Sequence, residues 1–307
     1  MELYGVGRRS RSDVVMCYIS DSVDKSVLTR MRNLIQSIDV DALTMNIESL
    51  AECMFTHKWI NPFPKFKYSE RPDTATAAIL DGNIVIMVDN SPAVMIIPAS
   101  IFDIIEEADD FNFSPIIGSY LRITRFFFSI VTWILTPLWL LFVNNPDWVP
   151  EFLKFILITD DITVPVLLQL LILELAVDGL KLAAVNTPTM LSTPLSIVAG
   201  IVVGEYAVSS GWFNPEALLY MAVVTVGTYG QTNFEMGYAF KFLRVLMLIL
   251  TQIFNLAGFI TGVVISVLMI AFNRTITGKS YIYPLIPWDG KMLKRKVFRV
   301  RLPHGYK

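Results

Sequence analysis

The sequence predicts an α-helical polytopic membrane protein with a small cytoplasmic α/β N-terminal domain. Its 307 residues are 54% hydrophobic, and the mean hydropathy of +0.54 is too apolar for an ordinary soluble domain. Apolar runs fill residues 126–272, where only four lysines or arginines occur. We therefore divide the chain into a cytoplasmic α/β domain over 1–120, a transmembrane domain over 121–272 and a basic cytoplasmic tail over 273–307.

Mixed periodicity indicates the α/β character of the N-terminal domain. Asp13–Ser20 is a short β-rich run, whereas Asp24–Ile38 and Asn46–Phe55 have the spacing of helices with one apolar side. We expect Asp21 or Ser22 to cap the first of these helices, because short polar side chains accept hydrogen bonds from the free N–H groups of a first turn.

The clearest local pattern of this domain is a β-hairpin. Asn83–Val88 and Ala93–Ile97 are apolar runs, and four turn-forming residues, Asp89–Pro92, separate them. Two β-prone runs joined by such a short polar connection are typical of antiparallel strands. The N-terminal domain is therefore predicted to contain a sheet as well as helices.

Five apolar runs divide the transmembrane domain. They are Phe126–Val143, Ile162–Leu180, Leu195–Val208, Glu216–Tyr229 and Phe242–Phe272. Several are shorter than the roughly 20 residues that a full span needs, and the last is interrupted at Asn255–Gly258. Because short, interrupted segments are typical of half-helices and re-entrant elements, we expect four to six spanning or re-entrant segments.

The distribution of charge predicts the orientation of these segments. Arg122 and Arg125 precede the first run, the loop Asn144–Asp161 is mainly acidic, and the tail holds nine lysines or arginines against one acid. Since basic flanks favour the cytoplasmic side, we expect both ends of the chain in the cytoplasm. That requires an even number of crossings: four, or six if Phe242–Phe272 makes two shallow passes.

Two carboxylates inside an apolar run are the strongest candidate site. Glu174 and Asp178 are four residues apart and therefore share one face of a helix. Intramembrane acids are tolerated where they face a bundle interior or water. The pair either lines a water-filled, cation-attracting or proton-linked path, or is structural and hydrogen-bonded to Asn186, Thr187 or Lys181.

Five further positions in the transmembrane domain are weaker candidates. Glu205 either lines the ion path or lies at a partly solvated rim, and Gln252 and Asn255 either line a pore or hydrogen-bond between helices. Gly200 and Gly204 form a G-x-x-x-G pair, which allows close approach of helices. We assign these two glycines to helix packing or oligomer assembly rather than to chemistry.

The tail is predicted to bind the membrane surface. Anionic lipid is its expected partner, and the lipid-facing bases would be Lys291, Lys294, Arg295, Lys296, Arg299 and Arg301. Nucleic acid is not expected, because the tail is tethered to the membrane. The chain shows no nucleophile–base pair, P-loop or dinucleotide fingerprint, and its two cysteines and two histidines lack zinc spacing. We therefore do not expect the protein to be an enzyme, to have a metal site or to bind a cofactor.

Four long segments resemble the spore germination proteins of the GerA family, A-subunit type. Asn61–Asp73 (NPFPKFKYSERPD) resembles its P-F-P…E-R-P-D signature, and Gly5–Ile19 its G-x-G-R-R-S strand. Asp81–Ala99 is similar to its hairpin and Ala184–Glu205 to its core membrane motif. The family has a longer cytoplasmic region upstream of that strand, so we expect the N-terminal domain to be incomplete relative to the family.

The resemblance implies a homo-oligomeric membrane subunit in the spore inner membrane, working with other germination membrane proteins. It implies a subunit that forms or supports an ion channel. Because of the acid pair, we expect this channel to release monovalent cations during germination. A non-conducting scaffold that assembles germination proteins is the alternative. A secondary transporter would need internal repeats, which the two halves of the transmembrane domain do not show convincingly.

Overall fold

The computed structural model describes residues 1–55, 61–160, 163–186, 200–231 and 233–300. It divides into two compact units. The first unit comprises Met1–Thr124 together with the chain from Leu268 onward, and the second comprises Arg125–Val267. The tail, which we predicted as a region of its own, thus groups with the N-terminal domain.

Within the described residues, the first unit contains a five-stranded antiparallel sheet with the order β1-β2-β4-β5-β3. Its strands are β1 (Glu2–Val6), β2 (Ser12–Cys17), β3 (Lys67–Ser69), β4 (Ile84–Val88) and β5 (Val94–Ile97). The predicted hairpin is confirmed, because β4 and β5 pair antiparallel with Ile84 opposite Ile97. The β-rich run at Asp13–Ser20 forms β2.

The central strand β4 is buried on one face of the sheet and over part of the other. Ile84 and Ile86 belong to the main core of the unit, whereas Val85 packs with Ala78 and Ile96 on the other face. A strand covered on both sides has a continuous apolar sequence rather than an alternating one. This explains the uninterrupted start of the run IVIMV, whereas Met87, on the same face as Val85, is 38% exposed.

Short helices cover the sheet. They are α1 (Lys25–Gln36), α2 (Ile47–Met54), α3 (Pro72–Leu80) and α4 (Ile101–Ile105), followed by a 3₁₀ turn at Ala108–Phe111. The prediction of the first cap was wrong: Asp24, rather than Asp21 or Ser22, caps α1. The Asp24 carboxylate accepts a hydrogen bond from the backbone N–H of Ser26 at 3.0 Å, because it lies next to the first helical turn.

The second unit is helical. Its long helices are α5 (Pro115–Asn144, which begins in the first unit), α6 (Val166–Asn186), α7 (Pro215–Tyr229) and α8 (Phe234–Ala271). Shorter elements join them: 3₁₀ turns at Pro146–Trp148 and Glu151–Ile156, a π-helical segment at Gly200–Tyr206 and a short turn at Ala207–Ser209. Among the described residues, α5 and α8 are long and apolar enough to cross a membrane. The core contains Trp139, Leu140, Val166, Leu170, Leu173, Phe213, Ala217, Met221 and Leu248.

The long helix α8 reverses direction at Asn255, where the backbone has φ 52° and ψ −129°. A Cβ added at Gly258 would lie 1.8 Å from the carbonyl oxygen of Leu250, and one at Gly262 would lie 2.7 Å from Cγ of Met247. Residues eight apart in a straight helix are separated by about 12 Å. The segments 234–254 and 256–271 therefore pack against each other, as in the two-pass alternative for this stretch.

Substitution of Gly258 by alanine is expected to destabilise this helical hairpin by about 1–3 kcal/mol, because the obstructing atoms belong to the Leu250 backbone and cannot rotate away. Gly179→Ala in α6 is the matched control. No atom lies within 4 Å of a Cβ there, so alanine should stabilise that helix by about 0.5–1 kcal/mol. Thermal unfolding of both variants in detergent measures the difference, and equal midpoints would refute the close approach.

The chain after α8 completes the first unit. Ile276 enters its main core, Tyr281 is fully buried, and the Tyr281 carbonyl accepts a hydrogen bond from Ile101 N at 3.0 Å. Lys279 forms an ion pair of 2.7 Å with Asp24. A last helix, α9 (Gly290–Val297), follows. These contacts explain why the tail is part of this unit.

Candidate functional site

The structure brings the two intramembrane acids together with two bases. Glu174 and Asp178 lie one turn apart on α6, and Lys241 and Arg244 lie three residues apart on α8. Nε of Arg244 is 2.5 Å from Oε1 of Glu174. Nζ of Lys241 lies 3.4 Å from Oε2 of Glu174 and forms an ion pair with Asp178. These four side chains, which we call the ion-pair cluster, have a formal charge of zero.

The ion-pair cluster has a closed end and a more open end. The side chains of Glu174 and Arg244 are only 5% and 3% exposed, whereas that of Asp178 is 24% exposed. Arg244 also donates to the backbone carbonyl of Thr132 on α5, and Lys241 donates to the carbonyl of Glu174 at 2.9 Å. Because every buried charge has an opposite charge beside it, the desolvation of these groups is offset.

Within the described residues, the partners of the acids are two bases that we did not predict. The carboxylates bind Lys241 and Arg244, whereas Lys181 lies over the rings of Tyr229 and Tyr238, at 5.0 and 5.5 Å. The predicted alternatives Asn186 (its side chain) and Thr187 fall outside the described residues. The sequence did contain a signal, because Lys241 and Arg244 are two of the four bases in residues 126–272 and their spacing matches one helix face.

A small cavity adjoins the ion-pair cluster at Lys241. Its volume is about 60 Å³, and its lining comprises Lys181, Thr228, Tyr229, Gln231, Phe234, Gly237, Tyr238 and Lys241. Nε2 of Gln231 donates to Oγ1 of Thr132 at 3.1 Å. Among the described residues, Oε1 of Gln231 and Oδ1 of Asp178 are buried acceptors without a hydrogen bond. The cavity therefore has room for a water molecule near Oε1 of Gln231, whereas Asp178 lies outside its lining.

The other predicted path residues lie elsewhere. Glu205 and Gln252 are exposed, and Asn255 exchanges two amide hydrogen bonds with Asn145, at 2.6 and 2.9 Å. No hydrogen bond or ion pair within the described ranges joins these residues to the ion-pair cluster. Asn255 thus makes the interhelical contact that we gave as one of its alternatives. In the part of the chain described, no His, Cys, Asp and Glu side chains are grouped to hold a metal ion.

The G-x-x-x-G pair makes no close contact in the described structure. No atom lies within 4 Å of a Cβ added at Gly200 or Gly204. The expected packing of these glycines against another helix is therefore not made inside the described chain. Their assignment to oligomer assembly stays a prediction.

Several bases that we assigned to the lipid surface bind the protein instead. Lys296 lies 2.5 Å from Oδ1 of Asp103 and 3.1 Å from Oε2 of Glu106. The guanidinium of Arg299 donates to the Phe111 carbonyl at 2.9 Å. These bases are held because α9 packs on the N-terminal domain, which a local sequence pattern does not reveal. The remaining predicted bases are Lys291 and Lys294, which are exposed, Arg295, which is half-buried, and Arg301, which lies outside the described residues.

A buried arginine on α5 contacts Glu106 and a further acid, Asp110. Arg122 is 2% exposed, and its guanidinium contacts Glu106 at 2.5 Å and Asp110 at 3.1 Å. It also donates to the carbonyl of Arg295 on α9 at 3.1 Å. Arg122 therefore connects three segments of the first unit, although we predicted it only as an orientation signal.

The charges around Lys296 shift the pKa values of both partners. Burial raises the pKa of the Asp103 carboxyl, but the charge of Lys296 outweighs this effect, and the pKa falls below its usual value. Burial lowers the pKa of Lys296, but Asp103 and Glu106 more than compensate, and its pKa lies above the usual value. Both groups therefore stay charged over the neutral range.

The profile of the Bacillus/Clostridium GerA spore germination protein family matches residues 1–307. The chain belongs to the GerA family. The resemblance that we noted in four sequence segments therefore holds across the chain. The family match includes α6 and α8, the two helices that carry the ion-pair cluster.

Three relatives of this GerA-family chain are informative. Stage V sporulation protein AF of Bacillus subtilis (strain 168) is 35% identical over 298 residues, which are 97% of this chain and 60% of that protein. Spore germination protein GerLA of Bacillus cereus is 27% identical and is covered to the same 60%. The uncharacterized membrane protein YfkQ of Bacillus subtilis (strain 168) is 26% identical over 86% of this chain and 52% of its own length. The chain therefore spans at most about 60% of these three proteins.

One solved structure also matches. The N-terminal domain of the A subunit of the Bacillus megaterium spore germinant receptor GerK3 is 31% identical to the aligned part of this GerA-family chain. The match covers 31% of this chain and 74% of that domain, with a TM-score of 0.24.

Proposed function

We propose that this chain is a membrane subunit of a spore germination complex and that it forms or supports a channel releasing monovalent cations during germination. GerA membership and the names of two of its relatives support a role in germination. The ion-pair cluster is the observation that carries the proposed ion path. Four charged side chains in an otherwise apolar helical unit are costly to keep, and such groups commonly serve ion or proton movement.

The open end of the ion-pair cluster is where a cation would bind. Asp178 has one carboxylate oxygen paired with Lys241, and its other oxygen, Oδ1, accepts no hydrogen bond from the described residues. The second candidate oxygen is Oε1 of Gln231, which accepts no hydrogen bond from the described residues and belongs to a residue that lines the same cavity as Lys241. Because the Lys241 ammonium already neutralises Asp178, a passing cation would have to replace it. Conduction would therefore require α6 and α8 to move apart.

We further propose a multi-pass position in the spore inner membrane, with the N-terminal domain and tail in the cytoplasm. The length and composition of α5 and α8 and the name of the relative YfkQ support a membrane location. A homo-oligomer and other germination membrane proteins are the proposed partners. The names of the relatives, among them the A subunit of a germinant receptor, support association with other germination proteins.

Ion flux from liposomes containing the purified chain tests the channel proposal. The double change Glu174→Gln and Asp178→Asn should reduce flux without reducing protein level, because it removes both carboxylate charges. Asp178→Asn alone keeps the buried Glu174–Arg244 pair and should still reduce flux. The control is Glu151→Gln, which removes a loop acid whose side chain is 87% exposed. Unchanged flux in both cluster variants would make the acids structural.

A non-conducting scaffold is the second candidate, and the neutral charge of the ion-pair cluster favours it. Acids that are fully paired with bases hold helices together without attracting ions. A scaffold predicts that removal of the tail from Lys291 abolishes co-purification of germination partners while flux stays the same. Absence of flux from a folded, oligomeric preparation, with or without partners, would favour this alternative.

A further inference from the structure

A short loop of the first unit presents an apolar tip to solvent. Leu285, Ile286 and Trp288 are 40%, 59% and 71% exposed, although the segment just before them contains the fully buried Tyr281. Large apolar side chains grouped in this way mark a surface that contacts an apolar partner. Residues 285–288 are called the apolar loop below.

Hydrogen bonds at its base preform the apolar loop. The N–H of Asp289 donates to the carbonyl of Pro284 at 2.9 Å and closes the loop. The Asp289 carboxylate accepts from the N–H of Met292 at 3.0 Å and from the hydroxyl of Tyr283 at 3.2 Å. Since its ends are fixed in this way, the apolar loop loses little conformational freedom when it binds.

Exposed lysines flank the apolar loop. Lys291 lies in the first turn of α9 and Lys294 in its last turn, and both are exposed to solvent. The single acid of residues 273–307 is Asp289, whose carboxylate is already used to cap α9. The surface therefore combines a tryptophan, two aliphatic side chains and positive charge.

We propose that the apolar loop inserts into the headgroup region of a membrane with anionic lipid, while Lys291 and Lys294 bind the lipid phosphates. Tryptophan with lysine is the usual composition of membrane interfaces, whereas lysine is depleted in the cores of protein–protein interfaces. Leu285 follows the end of α8 by 14 residues. Fourteen residues span at most about 50 Å, so the loop stays within reach of the bilayer that α8 is proposed to enter.

This inference rests on the proposed membrane location, and it moves lipid binding from the whole basic tail to a defined loop. Lys296 and Arg299 are excluded as lipid ligands because they bind Asp103, Glu106 and the Phe111 carbonyl. The lipid contact thus needs the folded first unit rather than an extended basic segment.

Lipid quenching of a fluorophore in the full chain tests the proposal. Cys17 and Cys53 are first replaced by alanine, and Ile286→Cys is labelled with an environment-sensitive dye. The protein is placed in phosphatidylcholine vesicles, with or without phosphatidylglycerol, that contain brominated acyl chains. We expect blue-shifted, quenched emission, and stronger quenching with phosphatidylglycerol.

Two labelled controls separate the possible failures. Leu80→Cys on α3 is 55% exposed and lies outside the apolar loop, so its dye should not be quenched. Ile253→Cys on α8 is 64% exposed and should be quenched if α8 enters the bilayer. Quenching at position 253 without quenching at 286 overturns the loop proposal alone. No quenching at position 253 in the folded protein overturns the membrane location. Equal quenching at positions 80 and 286 indicates nonspecific adsorption of the protein to the vesicles and overturns the loop proposal.

The lysines are tested in the same preparation. Lys291→Gln together with Lys294→Gln should lower the equilibrium for insertion of the dye by roughly fivefold per lysine in anionic vesicles, because each lysine near a charged surface adds about that factor. Lys25→Gln, an exposed lysine on α1, is the control and should change nothing. Disulfide formation between two copies of the Ile286→Cys variant, with no lipid quenching, would show a protein contact in place of the lipid contact.

Discussion

Replacement of Arg244 by methionine is expected to lower the free energy of unfolding of the second unit by about 3–5 kcal/mol. The Glu174 carboxylate, 5% exposed, would lose its shorter ion pair and remain buried beside Lys241 alone. Removal of one partner from a buried pair leaves the other charge uncompensated. Chemical unfolding of the full chain in detergent, followed by helical circular dichroism, measures this loss.

A double variant shows whether the loss comes from the pair itself. Arg244→Met with Glu174→Leu removes both charges and should recover most of the stability, because an apolar pair of similar size replaces a buried ion pair at little cost. Lys154→Met is the matched control, since its pair with Glu151 is exposed and contributes about 0–1 kcal/mol. If the double variant is no more stable than Arg244→Met, coupling between the two side chains is refuted.

Replacement of Lys296 by methionine is expected to release α9 from the first unit. Asp103 would then lose the ammonium that lies between it and Glu106, while Glu106 would keep its pair with Arg122, and the repulsion between the two carboxylates would increase. Because these side chains are 15–25% exposed, we expect a loss of about 2–3 kcal/mol, less than for a fully buried pair. Hydrogen exchange of the α9 amides reports the release, and Lys294→Met on the exposed side of α9 is the control.

The pKa shifts of this pair predict how the docking of α9 depends on pH. The pKa of Asp103 is lowered by folding, so its contribution is present above its unfolded value near 4 and is lost as pH falls through the folded value. The pKa of Lys296 is raised, so its contribution is present below about 10.4 and is lost as pH rises through the folded value. Protection of α9 should thus be constant near neutrality and fall at both extremes. In Lys296→Met, the alkaline loss due to Lys296 should be absent.

The sequence by itself determined the elements with a strong local pattern. The β4–β5 hairpin follows from two apolar runs around a four-residue polar turn, and α1 follows from one apolar side at helical spacing. Such patterns depend on neighbours within a few residues, which the sequence shows directly. The same holds for α5 and α8, which follow from long apolar runs and are long and apolar enough to cross a membrane.

Only the tertiary structure decided which charges meet. Glu174 pairs with Arg244 across 70 positions, and Lys296 pairs with Glu106 across 190. The sequence shows the spacing of the acids on α6 and of the bases on α8, but each pattern gives only one side of the contact. Desolvation makes a buried charge unfavourable unless an opposite charge lies within a few ångströms, and distant parts of the chain reach that separation only when the helices pack.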